Sequence, residues 1–211
     1  MMQRNCTSNM ALEPVTAVCD ACVLYPFHQR NILIQASVDG LFDARWTEEI
    51  HDEWMRNLIA NVPAIPLERL HATRRLMEFA LPGALVGGFH HYVDSVALPD
   101  PDDRHVVAAA IEANASHILT WNLRDFPVKT IEKHGLVRTT PDAFLADLYD
   151  QASDLVVGSL ANARRNLAKS NVSAQDFLAL LKGQGLTKLE KPSSDTNPIC
   201  EWPSRRTSIR V

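Results

Sequence analysis

Long apolar runs are missing from this sequence of 211 residues. No stretch approaches the roughly 20 residues that span a bilayer. The opening residues, MMQRNCTSNMALEP, lack the apolar segment of a secretory signal. The composition is 46% hydrophobic and 22% charged, which is typical of a globular protein with a buried core. We therefore expect a cytoplasmic protein that is not bound to a membrane.

Cysteines are few, and they do not form two pairs. Cys19 and Cys22 make one C-x-x-C motif, CDAC, whereas Cys6 and Cys200 stand alone. A zinc site needs a second pair, and a redox pair usually lies between a strand and a helix. The alternative is two small buried side chains around Asp20, which is the more common role of free cysteine. The sequence favours this last interpretation and leaves the other two open.

An excess of positive charge is also absent, since the net charge is -4. The charge is uneven, however, because residues 152–211 hold nine basic and five acidic side chains. Such asymmetry indicates either a basic platform beside an acidic site or ordinary solvated helix surface. Among these basic residues, Arg164 and Arg165 follow each other in a helical pattern.

Short β-prone runs alternate with helical patterns in the first 140 residues. The best strand candidate, VTAVC at 15–19, ends at Asp20. Further candidates are weaker; they lie at residues 41–44, 91–97, 116–120 and 136–138. Apolar residues recur every four positions from Trp46 to Leu58, which predicts an amphipathic helix. This alternation predicts an α/β sandwich of three layers with a mostly parallel central sheet.

A different pattern follows residue 140. Helical patterns cover residues 140–169 and 173–181, with Ser173 as a cap, and they predict a C-terminal helical appendage. The last part is rich in Pro, Ser and charge, which is typical of disorder. We therefore divide the chain into an extension (1–14), a main domain (15–150), the appendage (151–190) and a disordered tail (191–211).

Negative charge is concentrated in LPDPDDRHVVAAA, residues 98–110. Asp100 is suited to cap a helix, and Pro101 is suited to its first position. Acids in the first turn also face the positive end of the helix dipole. Three acids exceed what capping requires, and like charges this close favour a cation among them. We assign Asp100 to the cap, which leaves Asp102 and Asp103 as the candidates for a metal ion.

Carboxylates follow the predicted strands or begin helices at the same sheet edge. Asp20 ends the first strand, Glu53 lies on the Trp-rich helix, and Asp125 follows the strand at 116–120. Ligand sites of parallel sheets lie beyond the carboxyl ends of the strands. Carboxylates without a histidine cluster suit Mg²⁺ or Mn²⁺ rather than zinc. The set therefore predicts a magnesium or manganese site.

These segments resemble those of the PIN-domain ribonucleases. The resemblance lies in VCDACVLYP, IHDEWMRNL, DPDDRHVVAAAIEANASHILTWN and LRDFP, and it covers about residues 15–144. It implies a metal-dependent endoribonuclease, most often the VapC-type toxin of a type II toxin–antitoxin pair. Asp20, Glu53 and Asp103 match the acids of the family. Asp103 matches better than Asp102 because its spacing to Ala110 is that of family members, and Asp102 suits the cap or the metal role equally. The implied partners are RNA and an antitoxin protein, and self-association stays open.

Two positions depart from the family pattern. Asn122 stands where some members have a fourth acid, with Asp125 three residues further on, and Cys22 replaces a frequent hydroxyl or amide. Either Asn122 or Asp125 can complete the metal site. Basic residues near these segments and in the appendage are candidates for binding RNA phosphates; they are Arg104, Arg124, Arg164 and Arg165.

Three other functions fit parts of the sequence. A PIN scaffold without catalysis would bind RNA or a protein, and Asn122 is the argument for it. A phosphatase would use Asp20 as nucleophile, although such enzymes commonly have a second Asp where Cys22 stands. A redox protein would use Cys19 and Cys22.

Overall fold

A computed structural model describes residues 15–167 and 171–190 of the chain. Its strands are β1 (Val15–Cys19), β2 (Phe42–Arg45), β3 (His117–Leu119) and β4 (Val137–Thr139). They form one sheet in the order β2-β1-β3-β4, and each neighbouring pair is parallel. Parallel neighbours need crossover connections, and helices supply them.

Helices follow each strand along the chain. In the part of the chain that the structure describes they are α1 (Ala21–Leu24), α2 (Phe27–Val38), α3 (Glu48–Asn61), α4 (Leu67–Ala80), α5 (His90–Val93), α6 (Arg104–Glu112), α7 (Val128–Glu132), α8 (Pro141–Arg165) and α9 (Ala174–Gly183). Short 3₁₀ turns cover Pro101–Asp103 and Lys188–Glu190.

Both faces of the sheet are covered. Ala17, Val18 and Cys19 of β1 are consecutive and all buried. Since successive side chains of a strand point to opposite faces, protein must pack on each face. This confirms the predicted α/β sandwich, with a sheet that is parallel throughout rather than mostly parallel.

Helix α3 forms within the predicted span, but it starts at Glu48 rather than at Trp46, which pairs with Leu85 in an isolated β-bridge. The Thr47 hydroxyl accepts a hydrogen bond from the Ile50 N–H at 3.2 Å and caps the helix. The helix ends at Asn61, shortly before Pro63, because a proline disfavours helical backbone at the residue before it. Burial of Ile50 and Trp54 fixes the rotation of the helix about its axis. Glu53 is adjacent to Trp54 and therefore lies at the margin of the buried face, half-exposed.

The acidic segment before α6 behaves partly as predicted. The Asp100 carboxylate accepts a hydrogen bond from the Asp102 N–H at 2.9 Å, and Pro101 occupies the first turn. Asp100 is thus the predicted cap. The turn that it caps is a 3₁₀ turn, and the α-helix proper starts only at Arg104.

Two predicted elements differ from the structure. The strand candidate at 91–97 is wrong, because the short helix α5 covers its beginning and no strand includes it. The predicted helix at 140–169 ends earlier, at Arg165, and its backbone is non-helical at Ala152 (φ -149°, ψ 61°). Lys169 and the expected extension and tail, 1–14 and 191–211, lie outside the described residues.

The appendage packs back onto the main domain. Ser173 caps α9, as predicted, by accepting a hydrogen bond from the Asp176 N–H at 3.1 Å. Phe177 and Leu181 of α9 are buried in the main core cluster. In the described ranges, no helix combines the length and apolarity that a bilayer crossing requires.

Candidate active site and metal centre

The carboxyl ends of β1 and β3 bring Asp20 and Thr120 together. Cys19 and Leu119 are register partners, and the Asp20 N–H donates to the Leu119 carbonyl at 3.0 Å, so the next residues of both strands meet at the sheet edge. The Thr120 hydroxyl donates to Asp20 Oδ2 at 2.6 Å. Asp20 is only 2% exposed. A buried carboxylate is thereby held in one orientation.

Cys22 contributes a second contact to the same carboxylate. Its thiol donates to Asp20 Oδ2 at 3.0 Å, and its sulfur accepts the Trp121 N–H at 3.3 Å. Burial, with the Asp20 charge second, raises the pKa of Cys22 to about 12, and the same causes raise that of Cys19 to about 12. Redox thiols need a lowered pKa. The structure therefore supports the buried structural role of the CDAC motif, and both cysteines are free thiols.

An acidic cavity of about 550 Å³ opens at this edge of the sheet. Glu53 and Asp103, two of the three acids that match the family, line it together with the two candidates for a further ligand, Asn122 and Asp125. Asp102 lines it as well, but its side chain is exposed, whereas that of Asp103 is half-buried. The carboxylates that line the cavity are Glu49, Asp52, Glu53, Asp100, Asp102, Asp103 and Asp125. Against these, the cavity lining contributes the cations Arg56 and, when protonated, His105.

The excess of negative charge in the cavity raises the pKa values of its acids. Burial and the charges of Asp20, Asp100, Asp125 and Glu53 raise the pKa of Asp103 to about 7. Burial and the Asp20 charge also raise the pKa of Glu53. The carboxylates thus act on one another electrostatically, as acids around a shared centre do.

His105 gives little relief from this charge. Its Nε2 lies 3.9 Å from Glu53 Oε2, but burial lowers its pKa, so the imidazole is mainly neutral at pH 7. Arg56 is a permanent cation of the cavity lining, and its charge opposes the rise in the pKa of Glu53.

The donor set fits a hard divalent ion. Carboxylate and amide oxygens are the ligands that Mg²⁺ and Mn²⁺ prefer, and a divalent ion would offset the repulsion that raises the Asp103 pKa. As the side chains stand, no three Asp, Glu, His or Cys residues of the described ranges are gathered closely enough to ligate one ion. The cavity therefore gathers Glu53, Asp103, Asn122 and Asp125 without a finished coordination shell, and Asp20 is not among the residues that line it.

The four arginines proposed for RNA lie around the cavity or away from it. None is among its lining residues in the described part of the chain. Arg104 follows Asp103 and Arg124 precedes Asp125 in sequence, so both flank the cavity. Arg164 donates to the Val172 carbonyl at 3.1 Å, and Arg165 donates to Asn162. The last two arginines are thus engaged within the appendage.

Thr120 and Trp121 are site residues that the sequence analysis did not single out. Thr120 binds Asp20 and also accepts the Asn122 N–H at 3.0 Å, so it links two predicted ligand positions. The signal was present in ILTWN, where a hydroxyl residue directly follows a strand. Its partner, 100 residues away, could not be known from the sequence.

We compared the chain with known protein families, and the result agrees with the parallel sheet and the acid-lined cavity at its carboxyl edge. The chain belongs to the PIN domain family, whose profile matches residues 16–124. A second profile, the VapC50 C-terminal domain, matches residues 141–189, which begin with α8. Together the two matches confirm the resemblance to VapC-type PIN-domain proteins.

One curated relative carries a functional name. The chain is 38% identical over 64 residues to "Putative ribonuclease VapC50" of Mycobacterium tuberculosis (strain ATCC 25618 / H37Rv). The match spans 29% of this chain and 38% of that protein. No solved structure matches the chain.

Proposed function

We propose that this protein is a Mg²⁺- or Mn²⁺-dependent endoribonuclease. The observation that carries the proposal is the convergence of Glu53, Asp103 and Asp125 on one cavity beside the buried Asp20. Membership of the PIN domain family and the ribonuclease name of the relative support it. We also propose that it acts in the cytoplasm, as the sequence analysis expects.

In this proposal Asp20, Glu53 and Asp103 hold the ion, and Asp125 or Asn122 completes the site. A bound divalent ion supplies a water of lowered pKa and offsets charge on a phosphodiester. Thr120 and the Cys22 thiol orient the Asp20 carboxylate through their hydrogen bonds to Oδ2. Asp102 lies at the exposed rim of the cavity and is a further candidate ligand.

Substrate binding needs cations, because the cavity itself repels phosphate. Arg56 lines the cavity, while Arg104 and Arg124 flank it, and we propose that they bind phosphates on either side of the scissile bond. Arg164 and Arg165 remain candidates for a longer RNA path.

We further propose that the protein is the toxin of a toxin–antitoxin pair. The two family matches to the PIN domain and to the VapC50 C-terminal domain support this. The partner would then be an antitoxin protein that suppresses cleavage. Expression of a toxin alone should arrest growth, and coexpression with the product of a neighbouring reading frame tests whether that product is the antitoxin. Relief of the arrest supports the proposal. Continued arrest with every neighbouring product contradicts it.

The test of the nuclease is RNA cleavage by the purified chain with Mg²⁺ or Mn²⁺ and with EDTA. Asp20→Asn should reduce cleavage by orders of magnitude in a folded protein, because it removes a ligand charge without changing volume. Asp154→Asn, on the exposed surface of α8, is the matched control and should cleave normally. Cleavage that survives EDTA would contradict the metal mechanism, and RNA binding without cleavage would favour the non-catalytic scaffold.

The phosphatase hypothesis is less consistent with the structure. Asp20 Oδ2 accepts hydrogen bonds from Thr120 and Cys22, a pair of contacts that orients the carboxylate. The second acid of such enzymes is replaced by Cys22, which serves as a hydrogen-bond donor here.

A further inference from the structure

Gln29 connects the appendage to the candidate active site. Its side chain is fully buried, and its amide Nε2 donates to the Val23 carbonyl of α1 at 2.7 Å. Its Oε1 accepts the indole N–H of Trp121 at 3.1 Å. Its backbone N–H donates to Gln184 Oε1, just beyond α9, at 2.8 Å. One residue thus joins the helix after Asp20, the segment after β3 and the end of the appendage.

Trp121 lies between two residues of the site. Thr120 before it holds the Asp20 carboxylate, and Asn122 after it lines the cavity. Its own backbone N–H donates to the sulfur of Cys22. A displacement of the indole therefore moves the backbone that positions Thr120 and Asn122.

Gly185 packs directly on this indole. A Cβ at Gly185 would lie 3.0 Å from Trp121 Cη2 and 3.1 Å from Cζ2, closer than side-chain contacts normally allow. The backbone there has φ +93°, a conformation that favours glycine. Both constraints require glycine at the point where the appendage meets Trp121.

The chain after Gly185 is anchored at the start of α8. The Thr187 hydroxyl donates to Asp142 Oδ2 at 3.1 Å, and the Lys188 N–H donates to Asp142 Oδ1 at 2.8 Å. Leu186 and Leu189, on either side of these contacts in the chain, are buried. The 184–188 segment is thus fixed at both ends and cannot move freely away from Trp121.

We propose that the 184–188 segment is a positioning element of the active site. Gln184 acts through Gln29, and Gly185 acts through Trp121, to hold Thr120 and Asn122 where the Asp20 carboxylate and the cavity need them. The proposal rests on the proposed nuclease function for its kinetic consequences. Its structural part, the coupling of Gly185 to the Thr120–Asn122 backbone, is independent of that function.

The test compares two glycines of the same helix end. Gly185→Ala introduces the close contact, and Gly183→Ala controls for an added Cβ, since a Cβ there meets nothing within 4 Å. Gly40→Ala controls for the backbone strain, since Gly40 has φ +79° and a Cβ there also meets nothing within 4 Å. Mutation of residues that orient metal ligands typically lowers metal affinity or activity by about 10- to 100-fold. We expect Gly185→Ala to lower kcat and raise the Mn²⁺ concentration for half-maximal cleavage by about that factor, with little change in KM for RNA. Gly183→Ala should match the wild type.

A second measurement separates this proposal from the nuclease itself. Hydrogen exchange of the Trp121 and Asn122 amides, which are bonded to Cys22 and Thr120, should accelerate in Gly185→Ala and not in Gly183→Ala. If the wild type does not cleave RNA, the proposed function fails, while the exchange result still decides the coupling. Unchanged exchange in a folded Gly185→Ala protein would overturn the coupling.

A double-mutant cycle distinguishes an effect through Trp121 from a general destabilisation of the fold by Gly185→Ala. Trp121→Phe replaces the indole with a smaller ring that lacks Cη2 and Cζ2, the atoms that the new Cβ would meet. If Gly185 acts through Trp121, the loss in kcat caused by Gly185→Ala should be smaller in the Trp121→Phe background than in the wild type. Equal losses in both backgrounds would mean a general destabilisation and would overturn the proposal.

Discussion

Replacing Asp103 with Asn should stabilise the metal-free protein, and it should do so only when the carboxylate is ionised. Burial and four neighbouring acids raise the pKa of Asp103 from an ordinary 3.8 to about 7. The folded protein therefore binds this proton more tightly than the unfolded chain. By linkage, the free energy of unfolding of the wild type falls as the pH rises from about 4 to about 7.

The size of the effect follows from the same shift. At about 1.4 kcal/mol per pH unit, the rise in pKa corresponds to about 4 kcal/mol as an upper limit. Asp103 is only half-buried beside an open cavity, so solvent screening should reduce the effect to about 2 kcal/mol. Asp103→Asn mimics the protonated acid, and it should gain about this much at pH near 8 and almost nothing at pH near 4.

Urea unfolding in EDTA across this pH range measures the difference between the two proteins. The control is Asp154→Asn, an exposed acid outside the cavity, whose difference from the wild type should not depend on pH. Adding Mn²⁺ should reverse the order, since only the wild type keeps the full ligand charge and gains stability from binding. A difference that is constant with pH, or a loss of stability at high pH, would refute the electrostatic argument.

Three further results are expected. Asp100→Ala should lower the free energy of unfolding by about 1 kcal/mol while cleavage persists, because it removes the cap on the Asp102 N–H; Asp100→Ser should restore most of this stability. Thr120→Val should weaken Mn²⁺ binding by about 10- to 100-fold, because the Asp20 carboxylate loses its hydroxyl donor; Thr120→Ser is the control. Alkylation at mildly alkaline pH should not modify Cys19 or Cys22 before unfolding, because the pKa of each thiol is about 12.

Each of these results has a clear contrary outcome. Full stability of Asp100→Ala at pH near 4, where Asp103 is protonated and is not repelled by Asp100, would mean that the cap contributes nothing. Loss of cleavage would make Asp100 a ligand. Unchanged Mn²⁺ binding by Thr120→Val would show that Asp20 needs no orientation. Rapid alkylation of Cys22 in the folded protein would reopen the redox hypothesis.

The parts of the fold that could be predicted are those that local chemistry determines. β1 occupies the predicted residues because a β-branched run ends at an acid, and α3 follows from the spacing of Ile50, Trp54 and Leu58. The sheet edge that gathers the acids follows from parallel topology. Asp100 could be assigned as a cap because its bond joins neighbouring residues.

The parts that could not be predicted depend on distant contacts. Residues 91–97 contain β-prone side chains, yet α5 packs beside α6 instead of joining the sheet. The links of Gln29 to Trp121 and to Gln184 join residues 92 and 155 positions apart, and no local pattern reports such pairs. Asp20 could be proposed from its position at a strand end, and Glu53 and Asp103 from the family resemblance, whereas identifying the side chains that orient them needs the folded structure.

The hydrogen bond between Thr120 and Asp20 has a consequence for the order of folding. It closes a loop of 100 residues, and parallel strands with such separations pair slowly because the closure entropy is lost before the contacts form. Local helices can form early, but the carboxylate at the end of β1 acquires its partner only when β3 docks. A nascent or partly folded chain should therefore be inert toward RNA, and the appearance of cleavage should report the completion of folding.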